Sequence, residues 1–364
     1  MTKRVFNFSP GPAMLPLPVL EAAQHDLVSL PGVGQSILEI SHRSKDFVSI
    51  IETAESNLRK LLRIPDNYQV LFLQGGAQLQ FAMIPMNFLR GSATAADYIV
   101  TGSWSKKAAP EAKTQGPVQI AFDGGGSNFN RVPSAGELSL NSAAPYAYFT
   151  SNETIQGVQF AAEPDVGDVP LVCDASSDIL CRPVPIDKYA LYYACAQKNA
   201  GPAGVTIVII RDDMIEKCPG DLPSMLSYSV LAKEKSLLNT PPVFAVYVVK
   251  LVTDWLLDEI GGLDKMLEQN RMKSKLIYDV IDGSAGFYEC HAEPESRSLM
   301  NIAFRLPGEA LQDKFLAEAA KRDLVNLKGH RSVGGCRASI YNAMPVEGCR
   351  LLAEFMGEFQ QANE

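Results

Sequence analysis

Short runs of apolar, β-branched and aromatic residues, broken by glycine, proline and helix-like segments, set the tightest limit on what this chain can become. Residues 68–73 (YQVLFL), 97–101, 145–150, 169–173, 189–194 and 205–210 each read as a buried strand. Helices are predicted near 18–30, over 52–62 and over 77–89. Strands and helices alternate to about residue 215, which predicts an α/β fold with a mostly parallel, mixed sheet wrapped by helices. A change of pattern follows. Asn239-Thr240-Pro241-Pro242 marks a loop, and an amphipathic stretch over 243–260 runs into Gly261-Gly262. Beyond it come a helix, a strand-like segment at 300–305, a helix at 308–322 and a last helix from Val346. The expected organisation is a large domain over 17–260 and a smaller C-terminal α/β domain over 261–364. The N-terminal arm, 1–16, is extended because Pro10, Gly11 and Pro12 break any helix, and it is expected to pack near the small domain and the active site.

Composition narrows the classes of function. With 364 residues, 46% of them apolar and 20% charged, the chain has the profile of a soluble globular protein larger than one small core. Its 33 Lys and Arg against 41 Asp and Glu give a net charge of −8, and no basic stripe suits a nucleic acid. A few local Arg and His residues can still set a positive field inside a cleft. The seven cysteines are odd in number and form no C-x-x-C pair, so reduced, buried thiols and a cytoplasmic location are expected. No signal-like head and no run long enough to span a bilayer is present, so no membrane association is expected. No metal-binding set is expected.

The residues with chemistry in them sit where the strand runs end. Asp174 closes one run, and Lys198 follows another in Ala196-Gln197-Lys198-Asn199-Ala200-Gly201. Ligands gather at the carboxyl ends of strands in open α/β sheets. An Asp and a Lys delivered there one βαβ step apart suit pyridoxal phosphate, whose aldehyde needs a lysine and whose ring nitrogen needs a carboxylate. The apolar flanks predict that desolvation lowers the Lys198 pKa and favours the neutral nucleophile. Each residue alone has a plainer reading: a strand-end Lys reaches solvent, and a strand-end Asp caps a turn. Their common phase is the argument for the functional one.

Gln74-Gly75-Gly76-Ala77-Gln78 lies between a strand and a helix, where free amides and the helix dipole can hold a phosphate. It matches neither a dinucleotide fingerprint nor a P-loop. Asp123-Gly124-Gly125-Gly126 reads as a loop without a clear strand before it. Trp104 falls in the turn Gly102-Ser103-Trp104-Ser105, placed to stack on a flat ring, although most tryptophans are core residues. Thr154 ends another strand near the same rim. Two of the four histidines directly precede an Arg, in Ser41-His42-Arg43-Ser44 and in Lys328-Gly329-His330-Arg331, with Arg337 close behind. Arg forks bind carboxylates and phosphates, so a dianionic substrate is implied.

Together the segments FNFSPGPAMLP, ISHRSKDF, LFLQGGAQLQFAMIPMN, TGSWSKKA, SNETIQGVQF, CDASSDIL, AQKNAGPAG, LNTPPVFAVY and KGHRSVGGCRASIYNA resemble the phosphoserine aminotransferase family, in class V of the fold-type I pyridoxal phosphate enzymes. The resemblance spans essentially the whole chain. It implies that the large domain binds the cofactor, with Lys198 bonded to its aldehyde, Asp174 at the ring nitrogen, Trp104 stacked on the ring and Thr154 at the ring oxygen. Gly76, Ala77 and Gln197 would hold the phosphate. Asn239 and Thr240 would reach the phosphate in the neighbouring subunit, making a homodimer with shared active sites. Ser9, His42, Arg43, His330, Arg331 and Arg337 would bind small anionic substrates. Some relatives carry Arg after the two glycines; Ala77 here removes one cation from the substrate pocket. The implied reaction moves the amino group of L-glutamate to 3-phosphohydroxypyruvate, with a longer phosphorylated substrate of pyridoxine synthesis as a related possibility. The alternatives are another class V transaminase, such as one acting on serine and glyoxylate, and a cofactor-free scaffold that has kept the fold.

Overall fold

The structure is a computed structural model that describes residues 4–134 and 136–364. A seven-stranded sheet is built from β1 (Tyr68–Leu73), β2 (Ala96–Val100), β3 (Val118–Asp123), β4 (Ala147–Thr150), β5 (Leu171–Asp174), β6 (Tyr189–Cys195) and β7 (Thr206–Arg211), in the order β1-β7-β6-β5-β4-β2-β3. All neighbours are parallel except β7, which runs antiparallel to both β1 and β6. The carboxyl ends of β1, β2, β4, β5 and β6 therefore share one edge, and β7 starts from that edge.

Alternation along each strand assigns its side chains to opposite faces. Tyr68, Val70 and Phe72 of β1 join one hydrophobic cluster, and Leu71 and Leu73 join the other. Ile207 and Ile209 of β7 divide from Val208 and Ile210 in the same way. Both faces need cover, and helices supply it. On one face lie α2 (Lys45–Leu62) and α5 (Val243–Asp258), through residues such as Leu58 and Val249. On the other lie α3 (Gly76–Phe88) and α4 (Ser103–Lys113), through Ile84 and Ala112. Leu58 and Val249 are fully buried, and each such aliphatic side chain contributes about 1.5–3 kcal/mol.

Several local expectations change. α2 begins at Lys45, earlier than the apolar spacing from 52 predicts, because the Ser44 hydroxyl accepts the Phe47 amide and caps it. Gly102-Ser103-Trp104-Ser105 is no turn: Ser103 starts α4, so Trp104 stands on a helix. Asp123 ends the strand β3, which was missed because a half-exposed edge strand lacks a continuous apolar run. The link from β5 to β6 holds only the 3₁₀ turn Ile186–Lys188, so Asp174 and Lys198 are not separated by a helical crossover.

A second, antiparallel sheet joins β8 (Glu289–Cys290), β9 (Asn301–Arg305) and β10 (Cys336–Ser339). It packs with α6 (Leu263–Gly283), α7 (Glu309–Lys321) and α8 (Val346–Gln361) through Ile277, Phe315 and Phe355. The N-terminal arm enters this cluster. Phe6–Asn7 pairs in parallel with Leu324–Val325, and the Phe8 side chain is fully buried. Lys273 of α6 is also buried, and its ammonium donates to the carbonyls of Ile340 (3.1 Å), Tyr341 (2.8 Å) and Asn342 (3.3 Å). Burial draws its pKa down to about 8. The Asn342 amide in turn donates to Asn199 Oδ1 at 2.9 Å, tying this segment to the residue after Lys198.

Candidate active site

A cavity of about 410 Å³ opens at the shared strand edge. Asp174 and Lys198 both line it. Asp174, the last residue of β5, is buried, and its Oδ1 accepts the Ser176 amide at 2.9 Å. Ser176 Oγ accepts the Cys195 amide at 3.1 Å, stitching this turn to the end of β6. Lys198 lies in the link between β6 and β7, a reversal closed by Ala196 N to Val205 O at 3.0 Å. Burial is the largest single influence and works against its ammonium, but interactions with Tyr341, Cys195, Asp174 and Glu153 together outweigh it and raise its pKa above the ordinary lysine value. The expectation of a lowered pKa is therefore reversed: desolvation operates, but the groups around the amine, Tyr341 and Cys195 ahead of the two carboxylates, together outweigh it.

Trp104 and Thr154 meet directly, the indole Nε1 donating to Thr154 Oγ1 at 2.9 Å. The Lys198 Nζ lies 5.4 Å from the Trp104 ring centroid. The first turn of α4 is held by Glu153, a residue sequence reasoning missed. Its buried carboxylate accepts from Trp104 N (2.9 Å), Ser105 N (2.8 Å) and Ser105 Oγ (2.6 Å). Burial raises the Glu153 pKa against the pull of those hydrogen bonds. No local pattern could signal this cap, because it comes from a different strand.

Gly75 and Gly76 both adopt positive φ (86° and 65°), which lets the chain turn from β1 straight into α3. Among the described residues no side chain caps α3, and Gly76, Ala77 and Gln78 line the cavity, leaving first-turn amides for an anion. Gln197 lines the cavity as well.

Of the expected substrate residues, His330 and Arg337 reach the cavity. Arg337 is buried; one guanidinium nitrogen donates to Thr154 O at 3.0 Å, and its Nε has no partner among the described residues. Burial and the positive charges of Arg337, Arg331 and Lys107 lower the His330 pKa. Lys107 was not singled out from sequence, although its place one helical turn after Trp104 could have indicated it; its Nζ sits 4.5 Å from the Trp104 ring centroid. Ser9, His42, Arg43, Asn239, Thr240 and Arg331 are not among the lining residues. Arg43, Thr240 and Arg331 are exposed. Asn239 Oδ1 accepts from Gln74 Nε2 at 3.4 Å, beside the glycine turn.

These residues fit pyridoxal phosphate. A buried carboxylate can face the ring nitrogen, a lysine the aldehyde, an indole the ring plane, and an uncapped helix start the phosphate. With cations at the mouth, the arrangement can take an anionic amine and shift a proton on it.

Comparison with known proteins agrees with this geometry. Residues 5–352 match the family described as aminotransferase class-V. A phosphoserine aminotransferase of Rhodopirellula baltica is 55% identical over 362 residues, covering 99% of this chain and 96% of that protein. The solved phosphoserine aminotransferase of Bacillus circulans subsp. alkalophilus superposes with a TM-score of 0.97 at 48% identity, covering all of both chains. A PLP-bound phosphoserine aminotransferase of Trichomonas vaginalis gives a TM-score of 0.91 at 39% identity, over 97% of this chain and 100% of that one.

Proposed function

Because this chain belongs to the class-V aminotransferase family, we propose that it uses pyridoxal phosphate to move the amino group of L-glutamate to 3-phosphohydroxypyruvate, giving O-phospho-L-serine and 2-oxoglutarate. The observation that carries the reading is one cavity holding Lys198 and Asp174 together with the buried cation Arg337 and the imidazole of His330. A transaminase for a small neutral side chain has no use for that charge, which disfavours the serine–glyoxylate alternative.

The bound cofactor supplies a ring that accepts the electron pair left when the substrate Cα loses its proton. Lys198 would take that proton and return it two atoms along, a 1,3-shift in which it acts first as base and then as acid. Asp174 keeps the ring nitrogen positive, which is the condition for the ring to accept charge. Trp104, held by Thr154 and by the Glu153 cap, fixes the ring plane. Gly76, Ala77 and Gln197 anchor the phosphate. In this reading Arg337 takes the substrate α-carboxylate, and His330, with the exposed Arg331 next to it in the chain, takes the distal anion.

The reading is tested by donor choice. Arg331→Ala and Arg43→Ala are each expected to weaken O-phospho-L-serine by about 10- to 100-fold, since a charge-assisted contact is worth roughly 1.5–3 kcal/mol. L-Alanine, which has no distal anion, should react equally poorly with native and variant protein. The half-reaction with each donor is followed by the change in the cofactor absorption band. Equal losses for both donors would remove the claim of phosphate recognition.

We also propose a homodimer with composite sites. Leu17, Leu27, Val28 and Leu38 are 47%, 42%, 83% and 61% exposed, apolar side chains in the segment that leads to His42 and Arg43. Those two residues, with Asn239 and Thr240, are absent from the cavity of their own chain and would serve the partner's. Lys198→Ala and Thr240→Asp proteins, each inactive, should recover activity on subunit exchange. In each mixed dimer one site carries both lesions and the other neither, so random exchange restores about a quarter of native activity. Proven exchange without recovery would mean that each site is built from one chain. The division at residue 260 into a cofactor-binding part and a smaller part belongs to the same reading. Among the described residues no helix is long and apolar enough to cross a membrane.

A further inference from the structure

Beside the cavity, the N-terminal arm lies across Lys198. Pro10 and Gly11 line the cavity wall, and the Ala13 amide donates to the Gln197 carbonyl at 2.9 Å. Gly11 comes so near that a Cβ placed on it would sit 3.2 Å from Lys198 Cγ, at a φ of +138° that disfavours any other residue. The first part of the arm is tied down by strand pairing at Phe6–Asn7 and by the buried Phe8. From Pro10 onward the strand pairing ends, and besides the Ala13 amide one side chain holds the arm.

That side chain is Tyr341, buried, with a hydroxyl that donates to the Pro10 carbonyl at 2.7 Å. The same oxygen accepts from Asn301 Nδ2 at 3.1 Å. Asn301 is fully buried and fully used. Its Nδ2 also donates to Ser339 Oγ at 2.9 Å, and its Oδ1 accepts from Asn152 Nδ2 at 2.8 Å. Asn152 lines the cavity and donates to Ser177 Oγ at 2.8 Å, three residues beyond Asp174. Tyr341 is fixed from behind as well, since Lys273 holds its carbonyl. A continuous, satisfied polar chain thus runs from the turn after Asp174 to the arm over Lys198, and Tyr341 is its last link.

We propose that Tyr341 is a positioning residue for the transfer reaction, latching the arm segment 10–13 across Lys198 so that the lysine is confined while it carries the proton. The inference rests on the role given to Lys198 above. A lysine released for proton transfer has a long, rotatable stem, and general base catalysis depends on reach and orientation. Gly11 on one side of the stem and Trp104 near its amine limit the positions open to it. Asp174, Glu153, Cys195 and Tyr341 are the titratable groups that face Lys198, and Lys198, Arg337 and Cys195 are those that face Tyr341. Removing the hydroxyl leaves the Pro10 carbonyl and one Asn301 proton unpaired, and the weaker end of the arm can lift.

The test uses the cofactor-loaded protein and two variants. Tyr341→Phe removes the latch and keeps the ring; Gly11→Ala pushes the arm from Lys198 and leaves Tyr341 alone. With Tyr341→Phe, amide hydrogen exchange at Ala13 is expected to quicken about tenfold, while amides of β6 keep their native rates. In the same variant kcat should fall about tenfold with the KM for the amino donor within twofold of native, because the ground-state contacts are untouched. The double variant should be no slower than the slower single one, since both act through the arm. Unchanged exchange at Ala13, a loosened arm with native kcat, or multiplied losses in the double variant would each overturn the latch. Exchange is read without any transamination, so a failed latch leaves the proposed reaction standing. Loss of the proposed reaction, with the arm still loosened, would instead point to the wrong chemistry.

Discussion

Lys198→Ala is expected to abolish transamination while leaving the fold intact. The stem of Lys198 borders a cavity of about 410 Å³, so truncating it enlarges a space already present and opens no new void in the core. The backbone around it is held independently, by Ala196 N to Val205 O and by Asn199 to Asn342 N. The melting temperature should therefore stay within a few degrees of native. Turnover has no such reserve. General acid–base transfer by a placed side chain contributes about 10²–10⁴-fold. In the proposed reaction Lys198 supplies both the base and the acid step, and among the described residues no other amine lines the cavity to replace it. A loss of roughly four orders of magnitude in 2-oxoglutarate formation is expected, measured after removal of small amines that could stand in for the lysine. Native-like turnover in that variant would falsify the assignment.

Asp174→Asn should rank second. The amide can still accept the Ser176 N–H at Oδ1, so the turn after β5 should survive. What changes is the other oxygen, replaced by an NH₂ that repels a protonated ring nitrogen. Leaving one partner of a buried charge pair without its counter-charge costs about 3–5 kcal/mol. On that scale kcat falls by roughly two to four orders of magnitude, while the cofactor, whose phosphate the proposed reading seats at the start of α3, should still bind. The checks are kcat with L-glutamate and the cofactor absorbance of the purified variant. Turnover within tenfold of native would make Asp174 no more than a turn residue.

The sequence made Asp174 and Lys198 legible because each follows a run so apolar that a charge there needs a reason. The helix–sheet layering was legible on the same ground, as alternation in β1 and β7 sorts their side chains to two covered faces. Glu153 was not legible. It acts as a cap for a helix that starts 50 positions upstream of it in the chain, as the Trp104–Thr154 separation also shows, and no local spacing encodes such a contact. For the same reason the start of α4 read as a turn. The direction of the Lys198 shift was also lost, since flanking apolar residues are adjacent in sequence whereas Asp174, Glu153 and Tyr341 meet it only in space. Tyr341 looked like one more aromatic in Ala338-Ser339-Ile340-Tyr341-Asn342, and its partner Pro10 lies at the opposite end of the chain.

The reversed direction of β7 has a consequence for how the molecule is made. β1 is the first strand of the large sheet to leave the ribosome, yet its one sheet partner is β7, the last. α2 likewise packs on α5, and the arm strand waits for Leu324–Val325. Until synthesis passes residue 211, the sequence YQVLFL has no strand to pair with, and only α2 and α3 are at hand to cover it. Domain-scale β pairing of this kind is slow and exposes nascent chains to aggregation. A ribosome stalled between β1 and β7 therefore holds the chain at its most vulnerable point, and a chaperone that shields apolar strands has its clearest target there.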